Sequence, residues 1–215
     1  MKTLIVVCAW GGGQRIFDLN SGFWESHGCD ILVCCPEDSP VRTRFNLFVS
    51  GRSVHCGPLA VPRWKAITRE VVLRGYDASV WFEYDSFCLK PDLGVITNGL
   101  HCTIGVSGEP HRFSSRRYAG FPWTFTAESL GKVMTVAENY PDITEEGYHD
   151  RLMGAWCELA GVPMTPHNPP GYAPNTILPE HYPDVFKSAQ AGCCWWHGIK
   201  DIATRDFITQ SYKPR

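Results

Sequence analysis

Several short sequence motifs that would indicate a function directly are missing from this sequence of 215 residues. It has no C-x-x-C pair, which argues against a structural zinc site, and no H-x-H or H-x-x-E-H spacing typical of metal hydrolases. The G-x-G-x-x-G and P-loop patterns are also absent. No basic cluster or heptad repeat occurs and the formal net charge is −2, so a nucleic-acid partner is not expected.

Nothing in the sequence predicts a membrane span or an oxidising compartment. The apolar stretch at residues 4–10 is too short to cross a bilayer, and the glycines after it do not resemble a signal cleavage site. The ten cysteines include adjacent pairs and several positions inside apolar runs, where reduced cysteine behaves as a small buried hydrophobe. We therefore expect a cytoplasmic location and free thiols.

The first half of the chain alternates strand and helix signals. Residues 62–74 read as a helix with Trp64, Ile67 and Val71 on one stripe, ended by Gly75. Four runs rich in apolar residues predict strands: residues 3–9, 30–35, 79–82 and 102–106. This order predicts an α/β fold in which helices flank a sheet, and the length fits a single domain over residues 1–215.

The second half is divided by capping residues and prolines. Thr126 is the predicted N-cap of one helix, and Asp142 with Glu145 resembles a capping box that starts another, ended by Gly161. The predicted buried side of this second helix carries four residues, Tyr148, Leu152, Trp156 and Leu159. Residues 163–183 contain seven prolines and predict an ordered but irregular loop.

The most informative segment is ASVWFEYDSFCLKP, residues 78–91. A hydrophobic strand runs directly into Glu83 and Asp85, and residues two apart in a strand point to the same side. Carboxylate oxygens suit Mg²⁺ or Mn²⁺, and the carboxyl ends of strands are where open α/β sheets bind ligands. The alternative is a pair of solvated acids at the end of a strand.

This segment resembles the acid-x-acid motif, usually Asp-x-Asp, of GT-A-type glycosyltransferases, and FCLKP at residues 87–91 is similar to the apolar-x-Pro continuation there. The resemblance implies a GT-A-like, Rossmann-type nucleotide-binding sheet whose acids hold a divalent metal on the donor diphosphate. Because the first acid here is Glu83, binding of the donor ribose by this residue stays open beside metal binding. Asp85 is the first choice as a metal ligand.

A second segment, WHGIKD at residues 196–201, resembles the His-Gly-x-x-Lys segment of several GT-A families, here in the form His-Gly-x-Lys. The resemblance implies that His197 completes the metal site, that Gly198 lets the backbone approach the phosphates, and that Lys200 meets the diphosphate. An ordinary histidine and a solvated lysine are the alternatives. Only folding can bring this segment to Asp85, because the two are far apart in sequence.

The same resemblance implies further contacts with the nucleotide. Ala9, Trp10 and Gly11, which end the first strand, would face the base and ribose. Glu37 or Asp38 would bind ribose or uracil, unless the two are simply acids in a turn. Arg63 would reach a phosphate unless it lies on a solvated helix face.

An inverting sugar transfer also needs a base, for which Asp150 is the first candidate and Glu146 the second. Asp150 is expected to face away from the buried stripe of its helix, and the neighbouring His149 reads either as a base or as a packing residue. Trp123 is a candidate for stacking on a sugar. Whether the enzyme retains or inverts the sugar stereochemistry is left open.

The sequence therefore predicts a metal-dependent glycosyltransferase that moves a hexose from a nucleotide-diphosphate sugar, with UDP expected, to a glycan or other hydroxyl acceptor. Mn²⁺ or Mg²⁺ is the expected cofactor. Residues 1–100 would form the nucleotide-binding half, and residues 101–215 the acceptor half with the C-terminal metal and phosphate segment. Two alternatives are a nucleotidyltransferase acting on a sugar phosphate and a non-catalytic nucleotide-sugar binding module.

Overall fold

A computed structural model of the chain describes residues 1–9, 13–25, 28–49, 60–88, 98–106, 117–142, 148–167, 176–191 and 195–212. The strands are β1 Thr3–Cys8, β2 Asp30–Cys35, β3 Asn46–Val49, β4 Ala78–Glu83, β5 Phe87–Cys88, β6 Leu100–Val106, β7 Arg117–Thr126, β8 Met164–Pro166 and β9 Trp195–Trp196. The helices are α1 Gln14–Glu25, α2 Ala60–Leu73, α3 Ala127–Asn139, α4 His149–Leu159, α5 Tyr182–Gln190 and α6 Ile202–Ser211, with a 3₁₀ turn at Pro179–His181.

Seven strands form one mostly parallel sheet in the order β3-β2-β1-β4-β7-β6-β8. The first four are mutually parallel, β7 runs antiparallel to both of its neighbours, and β8 is parallel to β6. The chain adds β2 and β3 on one side of β1 and then returns to place β4 on the other side. This reversal makes the carboxyl ends of β1 and β4 a topological switch point, where open α/β sheets bind ligands.

The central strands are apolar on both faces because helices cover both. Leu4, Val6 and Cys8 of β1 pack with α2, α3 and α4, whereas Ile5 and Val7 face α1 on the opposite side. This burial explains the continuous apolar runs, which differ from the alternating pattern of a sheet with one solvated face. The strands predicted at residues 3–9, 30–35, 79–82 and 102–106 are found, each with ends that differ by at most two residues from the prediction.

A third, smaller apolar cluster, the C-terminal cluster, consists mainly of residues from the last part of the chain. Its seven fully buried members are Phe87, Ile177, Val185, Ala189, Trp196, Ile199 and Ile208. The short strands β5 and β9 contribute Phe87 and Trp196, which are register partners in a separate two-stranded sheet. The C-terminal cluster therefore joins the segment after β4 to the last helices.

The predicted helix at residues 62–74 is confirmed as α2, and Thr126 is confirmed as the N-cap of α3 because its hydroxyl accepts a hydrogen bond from the Ser129 N–H. The predicted start of the following helix is wrong: α4 has Tyr148 as its N-cap, and Asp142 instead pairs with Lys65. Glu145 lies outside the described residues.

Two predicted positions on the buried side of α4 are also wrong. Tyr148 is 47% exposed and Leu159 is 65% exposed, whereas Leu152 and Trp156 are buried as predicted. The two exposed residues lie at the ends of the helix, beyond the turns that contact the sheet and α3.

The proline-rich segment contains more regular structure than predicted. Met164–Pro166 forms β8 on the edge of the sheet, and residues 168–175 lie outside the described residues. Pro179 begins the 3₁₀ turn, and Pro183 occupies the first turn of α5, where a missing N–H costs no helical hydrogen bond.

Candidate metal centre

The first acid of the candidate site stands at the switch point of the sheet. In the parallel pairing of β1 and β4, Glu83 is the register partner of Cys8, so both strands end at the same level. A turn follows at once, because the Ser86 N–H donates to the Glu83 carbonyl at 3.0 Å. Asp85 lies within this turn, which brings it to the carboxyl edge of the sheet beside Glu83.

The histidine reaches the same place through β9. Phe87 and Trp196 pair in the small sheet, their ring centroids are 6.1 Å apart, and His197 follows directly. The Ile199 N–H then donates to the Asp85 carbonyl at 2.9 Å. These backbone contacts hold His197 against the turn that carries Asp85.

Glu83, Asp85 and His197 form a compact cluster in which one ligand atom from each lies within 4.8 Å of the others. His197 Nε2 is 3.2 Å from Glu83 Oε2, and His197 Nδ1 is 3.2 Å from Asp85 Oδ1. Because a cation binds only one nitrogen of an imidazole, only one of these two contacts can separate neighbouring ligand atoms of the same cation. The other acid would approach that cation at the wider spacing of the cluster, up to 4.8 Å. The predicted proximity of the three residues is thus present in the structure, while metal binding by them stays a prediction.

The chemistry of the cluster fits a divalent cation. The Asp85 side chain is only 7% exposed, and its buried Oδ1 atom accepts no hydrogen bond of normal geometry among the described residues, although His197 Nδ1 lies 3.2 Å away. Burial lowers the pKa of His197 against the weaker raising effect of Asp85, and Lys200 lowers it further, so the ring favours its neutral, metal-binding form. Ser86 Oγ lies 3.2 Å from His197 Nδ1, so a cation on Nε2 would leave the other nitrogen a polar partner.

Lys200 and Gly198 also lie at the cluster. The Lys200 ammonium is 3.7 Å from Asp85 Oδ2 and its side chain is 41% exposed, which leaves it accessible to a ligand. Gly198 has a φ of +83°, a conformation that side chains rarely adopt, and its carbonyl accepts from the Ile177 N–H. The glycine is therefore required by the local backbone, and phosphate approach is not needed to explain it.

Asn20 is a residue of this site that the sequence analysis missed. It is fully buried in α1, and its Nδ2 lies 3.2 Å from the Tyr84 carbonyl and 3.4 Å from the Ile199 carbonyl. The amide thus contacts both the turn that carries the acids and the segment that carries His197. No sequence motif marks it, because its partners are backbone carbonyls that any residue supplies.

His149 lies beside the cluster, and its ring is packed in the core, as predicted by the interpretation of His149 as a packing residue. Its Nε2 atom is 3.8 Å from Glu83 Oε1, and its ring contacts Trp64 and Phe121. Asp150 is the next residue of α4; burial raises its pKa, and hydrogen bonds from the Arg151 N–H oppose that shift. A role for Asp150 as a base stays a prediction, and Glu146 lies outside the described residues.

The residues expected to contact the nucleotide lie in different environments. The Ala9 side chain is fully buried in the core and its N–H donates to the Cys34 carbonyl, so the expectation that it faces a base is wrong. Here the core continues one residue beyond β1. Trp10 and Gly11 lie outside the described residues. Glu37 is exposed in the turn after β2, at the carboxyl edge, and its ligand role stays a prediction.

Arg63 and Trp123 are buried. Arg63, in the first turn of α2, is 2% exposed; burial lowers its pKa, and the Cys8, Cys34 and Cys35 thiols lie near it. It therefore does not lie on a solvated helix face, and a contact between Arg63 and a phosphate stays a prediction. Trp123 is fully buried in β7 against Phe121, so the expectation that it stacks on a sugar is wrong.

No helix in the described ranges is long and apolar enough to cross a membrane. No protein-family model matches the chain, and no curated protein matches it.

Proposed function

We propose that this chain is a metal-dependent glycosyltransferase that moves a hexose from a nucleotide-diphosphate sugar, with UDP as the expected nucleotide, to a hydroxyl of a glycan or other acceptor. One observation carries the proposal. Glu83, Asp85 and His197 converge, with Lys200 beside them, at the switch point of a mostly parallel α/β sheet. Two segments that separately resemble GT-A motifs thus meet where such a sheet binds ligands.

The residues of the cluster would have different roles in binding the donor. Glu83, Asp85 and His197 would hold Mn²⁺ or Mg²⁺, which when bound supplies positive charge to the leaving diphosphate. The partly exposed ammonium of Lys200 adds a second positive charge at the Oδ2 atom of Asp85. The His197 imidazole favours Mn²⁺ over Mg²⁺, because Mg²⁺ prefers an all-oxygen shell.

The acceptor proton is the second requirement of an inverting transfer. Asp150 follows His149 in the first turn of α4, and burial raises its pKa above the ordinary carboxyl value, which makes its carboxylate a stronger base. Its side chain accepts from the Arg151 N–H at 2.8 Å, which fixes its position. Asp150 is therefore the base that we propose for an inverting reaction.

The test combines binding with product analysis. We expect UDP-sugars to bind in calorimetry with Mn²⁺ and to bind much more weakly in EDTA, and Asp85→Asn to lose the metal-dependent part while keeping its circular dichroism and Tm. Asp184→Asn is the matched control, since Asp184 is an exposed residue of α5 paired with Lys187. Equal binding with and without metal, or a fully active Asp85→Asn variant, would contradict the proposal.

Product analysis then separates the alternatives. Release of UDP with sugar transfer or hydrolysis supports a glycosyltransferase. Release of pyrophosphate from UTP and a sugar phosphate would instead identify a nucleotidyltransferase, and metal-dependent binding without any product would identify a binding module.

A further inference from the structure

The carboxylate of Glu83 lies between two imidazoles that come from different parts of the chain. Its Oε2 atom is 3.2 Å from His197 Nε2, and its Oε1 atom is 3.8 Å from His149 Nε2. All three side chains are 14% to 15% exposed, so water screens these contacts only partly. One oxygen of Glu83 therefore faces the candidate metal cluster and the other faces His149.

His149 is held by the aromatic core on which it rests. It is the first residue of α4, and its ring centroid lies 5.3 Å from that of Trp64 and 5.2 Å from that of Phe121. Behind it, Leu152 and Trp156 anchor α4 in the core. The ring position is thus set by packing that exists without any cation.

The geometry fits a hydrogen-bond donor better than a further metal ligand. His149 is not among the three residues whose ligand atoms lie within 4.8 Å of one another. Its Nε2 atom is 3.8 Å from Glu83 Oε1, about 0.8 Å beyond a usual N–H···O distance, so the hydrogen bond requires the two side chains to approach each other. Carboxylates that bind metals are in turn hydrogen-bonded by surrounding groups, and loss of such a partner weakens metal binding by about 10- to 100-fold.

We propose that His149 is a positioning residue for Glu83: its Nε2–H donates to Oε1 and keeps Oε2 turned toward His197. The proposal rests on the metal-binding role proposed above for Glu83. It also gives α4 a second function, because the helix that carries Asp150 then sets the orientation of a metal ligand on β4.

Two substitutions separate the hydrogen bond from the packing. His149→Phe keeps an aromatic ring against Trp64 and Phe121 but removes the N–H, whereas His149→Gln keeps an N–H donor and removes the ring. Mn²⁺ affinity is measured by calorimetry without nucleotide, the Mn²⁺ electron paramagnetic resonance spectrum reports ligand geometry, and Tm reports folding. We expect His149→Phe to bind Mn²⁺ about tenfold more weakly with an altered spectrum, and His149→Gln to recover most of the affinity.

The outcomes distinguish this inference from the proposed function. Wild-type affinity in His149→Phe, or equal weakening in both variants at unchanged Tm, would overturn the positioning role while leaving the glycosyltransferase proposal intact. Mn²⁺ binding that depends on the His149 donor without any sugar transfer would support the positioning role and refute the transferase. No Mn²⁺ binding by the wild-type protein would overturn both.

Discussion

The two segments that meet at the candidate metal centre are built differently. The acids follow β4, a strand of six residues that pairs with β1 on one side and β7 on the other and is buried on both faces. The histidine follows β9, a strand of two residues that pairs with the equally short β5. Glu83 is thus attached to the most continuous part of the fold, and His197 to one of the least.

This difference locates the weak point of the site. Displacing Glu83 requires disruption of the central sheet, whereas His197 depends on the C-terminal cluster and a few backbone hydrogen bonds. Local opening follows low contact density, so the histidine side should open at a lower free energy than the acid side. The site would then lose His197 before it loses Glu83.

Trp196→Ala should have the largest effect and tests this comparison directly. Trp196 is fully buried in the C-terminal cluster, and its indole N–H donates to Ser188 Oγ at 3.0 Å. Its removal should cost about 3–5 kcal/mol of unfolding free energy and release His197, so that Mn²⁺ binding is largely lost. Urea unfolding and calorimetry at low temperature measure the two effects.

Trp24→Ala is the matched control, because Trp24 is equally buried but lies near the end of α1, away from the carboxyl edge of the sheet. It should cost a similar unfolding free energy and leave Mn²⁺ affinity unchanged in the folded protein. Equal loss of Mn²⁺ binding in the two variants would show that the acid and histidine segments do not differ in local stability.

Asn20→Ala should have an intermediate effect, because Asn20 joins the two segments. Its amide donates toward the carbonyls of Tyr84 and Ile199, and its loss leaves these buried groups without that donor. We expect a loss of about 1–3 kcal/mol in unfolding free energy and a severalfold weaker Mn²⁺ affinity.

Asn139→Ala is the control for this change, since Asn139 donates to the carbonyl four residues earlier in an exposed part of α3, as Asn20 does in α1. It should alter neither quantity appreciably. An Asn20→Ala variant with wild-type Mn²⁺ affinity would show that the acid and histidine segments hold their positions independently.

The comparison also explains what the sequence could predict. The strands β1, β2 and β4 are continuous apolar runs because both faces of the sheet are covered, and that pattern is local. Glu83 and Asp85 can be recognised in the sequence because they directly follow such an apolar run. His197 has no such local signal, and it was identified only because the residues that follow it resemble a motif.

The remaining site residues depend on tertiary packing. His149 faces Glu83 because α4 begins beside β7, which cannot be predicted while the start of α4 is misplaced at Asp142. Asn20 contacts backbone carbonyls, which leave no trace in the sequence. Ala9 was assigned to the nucleotide because of the resemblance alone, whereas its side chain belongs to the core.

The pH dependence of Mn²⁺ binding should be the smallest effect and examines the histidine side alone. Burial lowers the folded-state pKa of His197 below its ordinary value of 6.5, against the raising influence of Asp85. Since protonation competes with metal binding, Mn²⁺ affinity should hold from neutral pH to below 6.5 and decline only as pH falls through that lower pKa. In the metal-free protein, the unfolded chain takes up this proton first as pH falls. The His197 contribution to folding stability is therefore present above pH 6.5 and is lost as pH falls to the folded-state pKa.

Calorimetry of Mn²⁺ binding from neutral pH to below pH 6.5 measures this pH dependence, with His197→Gln as the control that lacks the titrating ring. A decline of Mn²⁺ affinity that begins above pH 6.5 in the wild-type protein, or an identical profile in His197→Gln, would show that His197 is not the nitrogen ligand of this centre.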